Sequence, residues 1–237
     1  MSEEGEYVVE YVDDRPETTN YLKRDGMVKI TYRNGDSYEG MIGSDMQKQG
    51  EGKYTWRQKN EDGDGKILHF VELASYYNPA YLRLVNDLAS YEGGYVNGCK
   101  HGLGKMIFPS GDTYHGEWKQ DKMHGDGSYM YANGDIFSGK FEHGIRVGKG
   151  TYEFSIDKSL LVGNWSHNTI TDGKWIFKDG GSYVGRFESG KPIGTCMYKF
   201  PSGLQQDGEY VKAQETNADG EEVTTNKFVG GTIVKVR

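Results

Sequence analysis

Three segments of the chain superpose at a step of 23 residues, beginning at Tyr91, Tyr114 and Phe137. Their common frame is Y-x-G-x-W-x-x-G-x-x-x-G-x-G-x-Y-x-Y-x-x-G-D. The first carries Tyr91, Gly93, Tyr95, Gly102, Gly104, Ile107, Phe108, Gly111 and Asp112. The second carries Tyr114, Gly116, Trp118, Gly125, Gly127, Tyr129, Tyr131, Gly134 and Asp135. The third carries Phe137, Gly139, Phe141, Gly148, Gly150, Tyr152 and Phe154. A fixed period of this size means a repeat array in which each unit is one supersecondary element.

Degenerate copies extend the array both ways. Upstream, Tyr38 and Gly40 lead to Gly50, Gly52, Tyr54 and Trp56, and Val28 to Asp36 resembles the second half of an earlier copy. Downstream, Leu161, Gly163 and Trp165 lead to Gly173, Trp175 and Phe177. Tyr183, Gly185 and Phe187 then lead to Gly194, Tyr198 and Phe200, and Gly208 and Tyr210 open a last copy that decays into polar sequence. The ends are expected to differ because terminal repeats act as caps.

Aromatic, glycine and aromatic at positions 1, 3 and 5 alternate with period two, the strand signal. Gly-x-aromatic-x-aromatic makes a second strand. Asn-Gly-Asp, Ser-Gly-Asp and the Gly-x-Gly elements are turn chemistry, in which glycine or asparagine supplies positive φ. Each repeat is therefore a β-hairpin with its rings and glycine on one face. A glycine beside a ring lets that ring lie over bare backbone. The other face carries Lys, Glu, Asp, His and Ser and is expected to be wet. The expected fold is all-β: an elongated, twisted, single-layer antiparallel sheet of stacked hairpins. Two strands at about 4.8 Å advance about 10 Å per repeat, so six to seven repeats make a ribbon on the order of 60–70 Å. Composition agrees, with 35 Gly and 18 Tyr but only 35% hydrophobic residues and a mean hydropathy of −0.76.

The organisation expected is an acidic N-terminal tail (1–25), an array (26–210) interrupted by an insertion (57–90), and a C-terminal tail (211–237) with an edge strand. In the insertion, Asn78 and Pro79 suit the start of a short helix, Asn as cap and Pro at the first position. Tyr81, Leu82, Val85 and Leu88 would share one face of it, to pack on the array or on a partner. The N-terminal patch Tyr7 to Val12 is either part of an acidic tail or a strand for a neighbouring chain's edge. The C-terminal stretch, with Phe228 and Ile233, has the same two readings, because open arrays expose sheet edges.

A net charge of −7 and a pI near 5.4 disfavour nucleic acid and anionic membrane surfaces as partners. No signal peptide and no long apolar run is visible, so an intracellular location is expected. Cys99 and Cys196 lie about four repeats, or roughly 40 Å, apart, too far for a disulfide. Asn164-Trp165-Ser166 fits a glycosylation acceptor only as a repeat residue would.

No cofactor, metal or catalytic set emerges. A phosphate cradle needs a helix after its glycines, and here a strand follows every Gly-x-Gly pair. His101 and His124 share a repeat slot about 10 Å apart, beyond joint metal ligation. His115, His143 and His167 stand in other slots. The run Asn60 to Ile67 matches the start of a calcium loop, but position twelve is Val71 and strand sequence precedes it.

The frame resembles the MORN repeat, closely over Tyr91–Phe154 and more weakly over Gly35–Tyr210. The resemblance implies a scaffold or interaction module. The run Lys191-Pro192-Ile193-Gly194, then Tyr198, Phe200, Gln206, Gly208, Glu209 and Tyr210, then Glu221, Glu222 and Phe228, is similar to the tail of the radial spoke head MORN proteins. Phe228 stands where those have Trp. The resemblance implies a non-enzymatic structural subunit of the axonemal radial spoke head. Its partners would be other spoke-head subunits, a second MORN protein among them, and the central apparatus, in the cytoskeleton of a motile cilium or flagellum. The rival expectation is a membrane- or cortex-associated MORN tether.

Overall fold

The computed structural model describes residues 7–12, 25–57, 89–216 and 222–235. These form sixteen antiparallel strands in one open sheet, in sequential order. The strands are β1 (Tyr7–Tyr11), β2 (Gly26–Tyr32), β3 (Ser37–Ile42), β4 (Lys48–Thr55), β5 (Ser90–Val96), β6 (Cys99–Ile107), β7 (Thr113–Lys119) and β8 (Lys122–Met130). They continue with β9 (Ile136–Glu142), β10 (Ile145–Glu153), β11 (Leu160–Ser166), β12 (Thr169–Ile176), β13 (Ser182–Glu188), β14 (Lys191–Lys199), β15 (Leu204–Thr216) and β16 (Glu222–Lys235). The all-β class expected from the repeat is the class observed. The chain divides into two compact units, Met1–Gly125 and Asp126–Arg237, with the boundary inside β8.

In the first unit the repeat positions alternate strictly. Tyr91, Gly93 and Tyr95 of β5 are buried, as are Tyr114, Gly116 and Trp118 of β7 and Tyr38, Gly40 and Ile42 of β3. In the second unit the buried anchors are Phe137 and Phe141 on β9, Leu161 and Trp165 on β11, and Tyr183 and Phe187 on β13. Neighbouring hairpins share hydrogen bonds, so the array gains what one hairpin lacks.

The Gly-x-Gly elements are not turns, contrary to the sequence expectation. They lie inside β6, β8 and β10. The first glycine is a bulge residue: Gly148 has φ 60°, in a register shift between Val147 and Gly150. A bulge needs a left-handed residue and an unpaired one, and glycine supplies the conformation without strain. The hairpin turns lie elsewhere, at Asn97–Gly98, Gln120–Asp121, His143–Gly144, His167–Asn168 and Ser189–Gly190. In Asn97–Gly98 both residues have positive φ, 49° and 76°. Two left-handed residues in a row match the right-handed twist of the flanking strands.

The Asn-Gly-Asp sequences do turn the chain between hairpins, as expected. Asp135 is buried and accepts hydrogen bonds from Asn133 Nδ2 (2.9 Å), the Tyr152 hydroxyl (2.7 Å) and the Ser155 amide (2.7 Å). Asp36 does the same with Asn34, Tyr54 and the amide of Arg57. One carboxylate thereby ties a turn to the end of a strand about twenty residues on.

The insertion falls between β4 and β5. The Trp56 amide donates to the Ala89 carbonyl at 2.8 Å, and β4 pairs with β5. The expected helix, with Tyr81, Leu82, Val85 and Leu88, lies outside the described residues, as does most of the N-terminal tail. Within that tail β1 pairs with β2 of the same chain.

Candidate functional site

The face that carries the repeat residues is a sheet of rings laid on glycine. In the first unit, register aligns Ile30, Tyr38, Tyr54, Tyr91, Met106 and Tyr114 across β2 to β7. One step along the strands lies a second row of Gly40, Gly52, Gly93, Gly104 and Gly116. In the second unit the ring row is Phe137, Tyr152, Leu161, Trp175, Tyr183 and Tyr198, and the glycine row is Gly139, Gly150, Gly163, Gly173 and Gly185. A Cβ on Gly104 would lie 2.6 Å from a ring carbon of Tyr91, and one on Gly150 would lie 2.6 Å from the Phe137 ring. Any side chain there displaces the ring that covers it.

The rings lock edge to face. Tyr91 meets Tyr95 at 5.2 Å and 83°, and Trp118 at 5.2 Å and 84°. Phe137 meets Phe141 at 5.4 Å and Trp165 at 5.0 Å. The polar ends are satisfied locally. The hydroxyls of Tyr38, Tyr91, Tyr114 and Tyr183 each donate to the carbonyl three residues on, at 2.8 to 3.0 Å. Trp118 and Trp165 donate from Nε1 to the carbonyls of Gly104 (3.2 Å) and Gly150 (3.1 Å). Burial pushes the phenols of Tyr38, Tyr91, Tyr95 and Tyr183 well above the ordinary tyrosine range.

Not every repeat residue is covered. Tyr129, Tyr131, Tyr152 and Trp175 are half-buried, Gly125 and Gly127 are half-exposed, and Gly102 and Gly148 are exposed. Phe228 of β16 is half-buried against Tyr198 (5.2 Å) and Tyr210 (5.4 Å), whereas Ile233 is 52% exposed.

Two features escape the sequence reading. First, cations cap the ring row. Lys48 lies 4.6 Å from the Tyr54 ring centre, Lys100 lies 5.5 Å from Trp118, and Arg146 lies 5.0 Å from Trp165 and 5.2 Å from Phe137. Such contacts contribute about 0.5–1 kcal/mol when exposed and about 2 when desolvated. Desolvation, then the charge of Lys100, lowers the Lys48 pKa. The available signal was a basic residue two places before the bulge glycine in each of three repeats.

Second, the opposite face of the first unit carries a charge ladder. Register places Glu10 opposite Lys29, Lys29 opposite Glu39, Glu39 opposite Lys53, Lys53 opposite Glu92, and Glu92 opposite Lys105. All six are exposed. Lys53 and Glu92 form an ion pair at 3.5 Å. The corresponding row of the second unit is Thr151, Val162, Lys174, Val184, Met197 and Asp207, with no alternation of sign.

Among the described residues, no group of three or more His, Cys, Asp or Glu side chains could hold a metal ion. Cys99 and Cys196 are free thiols.

Comparison with known proteins gives the same repeat. Residues 47–61, 91–113, 114–136, 137–156 and 183–205 match the family model of the MORN repeat. The chain therefore contains five such repeats, which point to a scaffold or to a protein- or membrane-binding role. No curated protein matches the chain. Among solved structures it is similar to the wild-type TCP10 domain of Danio rerio CPAP, at 12% identity and a TM-score of 0.24, over 89% of this chain and 92% of that one. A TM-score of that size is too low to support an inference.

Proposed function

We propose that this MORN-repeat array is a non-enzymatic scaffold subunit of the radial spoke head in a motile cilium or flagellum. It packs there with other spoke-head subunits, a second MORN protein among them, and meets the central apparatus. The observation that carries the reading is the C-terminal run from Lys191 to Phe228, which resembles the tail of spoke-head MORN proteins. In this chain Phe228 covers Gly208 and packs on Tyr198 and Tyr210, so the tail is part of the sheet that ends the array. The edge of β16, with Ile233 exposed, is the docking surface that this reading favours.

The test is a tagged pull-down from detergent-extracted, salt-washed axonemes, with mass spectrometry of the co-purifying chains. Spoke-head and spoke-stalk subunits are expected. Recovery with membrane or cortical proteins and no spoke subunit would replace the reading with that of a membrane or cortical tether. The acidic surface is further proposed to cushion contact with the central apparatus. Unchanged spoke-to-central-pair coupling after reversal of surface Glu and Asp charges would remove that role.

A further inference from the structure

The charge ladder of the first unit is self-complementary. It has an even number of rungs, in the order Glu10, Lys29, Glu39, Lys53, Glu92, Lys105. Reversing that order changes the sign at every position. We propose that this face is a two-fold interface between two copies of the chain, with the symmetry axis parallel to the strands and between β3 and β4.

In that arrangement Glu39 faces the second copy's Lys53, Lys29 faces its Glu92, and Glu10 faces its Lys105. The alternative axis, across the strands, would place each charge on its own copy and repel at every rung. An isologous interface must be complementary to itself, and only the first axis satisfies that condition.

The neighbouring row on the same face runs Val12, Met27, Met41, Glu51, Gly94 and Leu103; its outer pairs fit the same operation, and its central pair sets Met41, 39% exposed, beside the second copy's exposed Glu51. Val12 is 60% exposed and Leu103 is 68% exposed. Leu103 lies beside Lys105 on β6, and the Val12 amide bonds the Met27 carbonyl at the end of β1. The two-fold places Val12 against the second copy's Leu103. It also places Met27, 42% exposed, over the second copy's Gly94, where there is no side chain to meet it. The apolar contacts supply the burial, and the ladder fixes orientation, because paired surface charges add specificity more than affinity.

The area is adequate. Six strands at about 4.8 Å and seven residues at about 3.3 Å give roughly 650 Å² per copy, or 1,300 Å² in total, within the range of specific interfaces. Sheets packed face to face cross by about 30°, so the central rungs, Glu39 and Lys53, lie closest.

The test is sedimentation velocity of the full chain at near-physiological salt, from about 1 to 100 µM. A concentration-dependent dimer is expected. Leu103→Glu, at an exposed site, is expected to weaken the dimer at least tenfold while the circular dichroism is unchanged. An acidic ladder (Lys29→Glu, Lys53→Glu, Lys105→Glu) and a basic ladder (Glu10→Lys, Glu39→Lys, Glu92→Lys) should each stay monomeric and should form a heterodimer when mixed. A wild-type chain that is monomeric at 100 µM overturns the proposal, as does a Leu103→Glu dimer of wild-type strength. If the ladder variants do not fold, the Leu103→Glu result alone decides. This inference is independent of the spoke-head reading and survives its failure.

Discussion

The two units build one kind of ring-and-glycine face but differ in what accompanies it. In Met1–Gly125, positions 1 of the hairpins are Tyr38, Tyr91 and Tyr114, each tied by its hydroxyl to the carbonyl three residues on. In Asp126–Arg237 the same positions are Phe137, Leu161 and Tyr183, and only Tyr183 makes that bond. The outer row alternates in sign in the first unit and is mostly neutral in the second. The difference separates what the repeat requires from what it tolerates. Glycine under a ring is required in both, because nothing else lets a single layer cover its own core. A hydroxyl on the ring and a charge outside it are additions. They make the ring row and the outer row of the first unit the more polar of the two.

The largest expected effect tests the shared part. Gly104→Val in the first unit and Gly150→Val in the second each drive a branched side chain into a ring. Each should cost about 3 kcal/mol. Hydrogen exchange followed by mass spectrometry should show protection lost in the mutated unit. Equal protection to wild type in either case would mean that the ring has another place to go.

Next comes the turn carboxylate. Asp135→Ala leaves the Tyr152 hydroxyl and the Ser155 amide without their acceptor, at a cost of about 1–3 kcal/mol. Desolvation raises the Asp135 pKa, but the Ser155 amide, the Tyr152 hydroxyl and the Asn133 amide outweigh it and hold the carboxyl below its usual 3.8. A depressed folded pKa stabilises the fold above the unfolded pKa. That contribution should be full above about pH 4 and fade as acid is added below it. Urea midpoints between pH 6 and 2 check this, with Asp135→Ala showing a flatter acid limb than wild type.

A smaller effect belongs to the hydroxyls that distinguish the units. Tyr91→Phe should cost about 1 kcal/mol through the lost bond to the Gly94 carbonyl. The buried tyrosines have raised folded pKa values, so the stability they contribute is present below the ordinary tyrosine pKa of 10.0 and is lost as pH rises above it. Tyr152, Tyr183 and Tyr198 of the second unit are raised in the same direction, so alkaline unfolding monitored by phenolate absorbance should be cooperative in both units. Gradual phenolate appearance at about pH 10 with no loss of exchange protection would mean that these hydroxyls reach solvent without unfolding.

The smallest effect is that of the ladder on the monomer. Its charges are exposed, and an exposed ion pair such as Lys53–Glu92 is worth about 0.2–1 kcal/mol and is screened by salt. Raising salt to about 1 M should reduce exchange protection of β2 to β6 by less than about 1 kcal/mol and affect the second unit less, where the exposed pairs are the isolated Lys158–Glu153 and Lys212–Glu188. Equal responses would remove the electrostatic difference between the units.

Much of this was legible in the chain. The 23-residue period fixed hairpins, and period-two alternation of ring and glycine fixed which face each side chain takes, because strand side chains must alternate. Tyr91, Gly93 and Tyr95 could thus be placed on the covered face without coordinates. The family of the repeat was legible for the same reason. The helix and docking set at Tyr81, Leu82, Val85 and Leu88 lie outside the described residues.

What the tertiary structure alone decided is register. Whether a glycine turns a chain or bulges a strand depends on the partner strand, and so Gly102, Gly125 and Gly148, turn residues by local pattern, lie inside β6, β8 and β10. Whether Glu39 meets Lys53, or Lys53 meets Glu92, depends on pairing between strands that the sequence separates by up to 39 residues. Local pattern sets the face of each side chain, because neighbouring residues share one backbone. Only hydrogen bonding between strands sets which side chains stand opposite one another, and that pairing makes a ladder from charges scattered along the sequence.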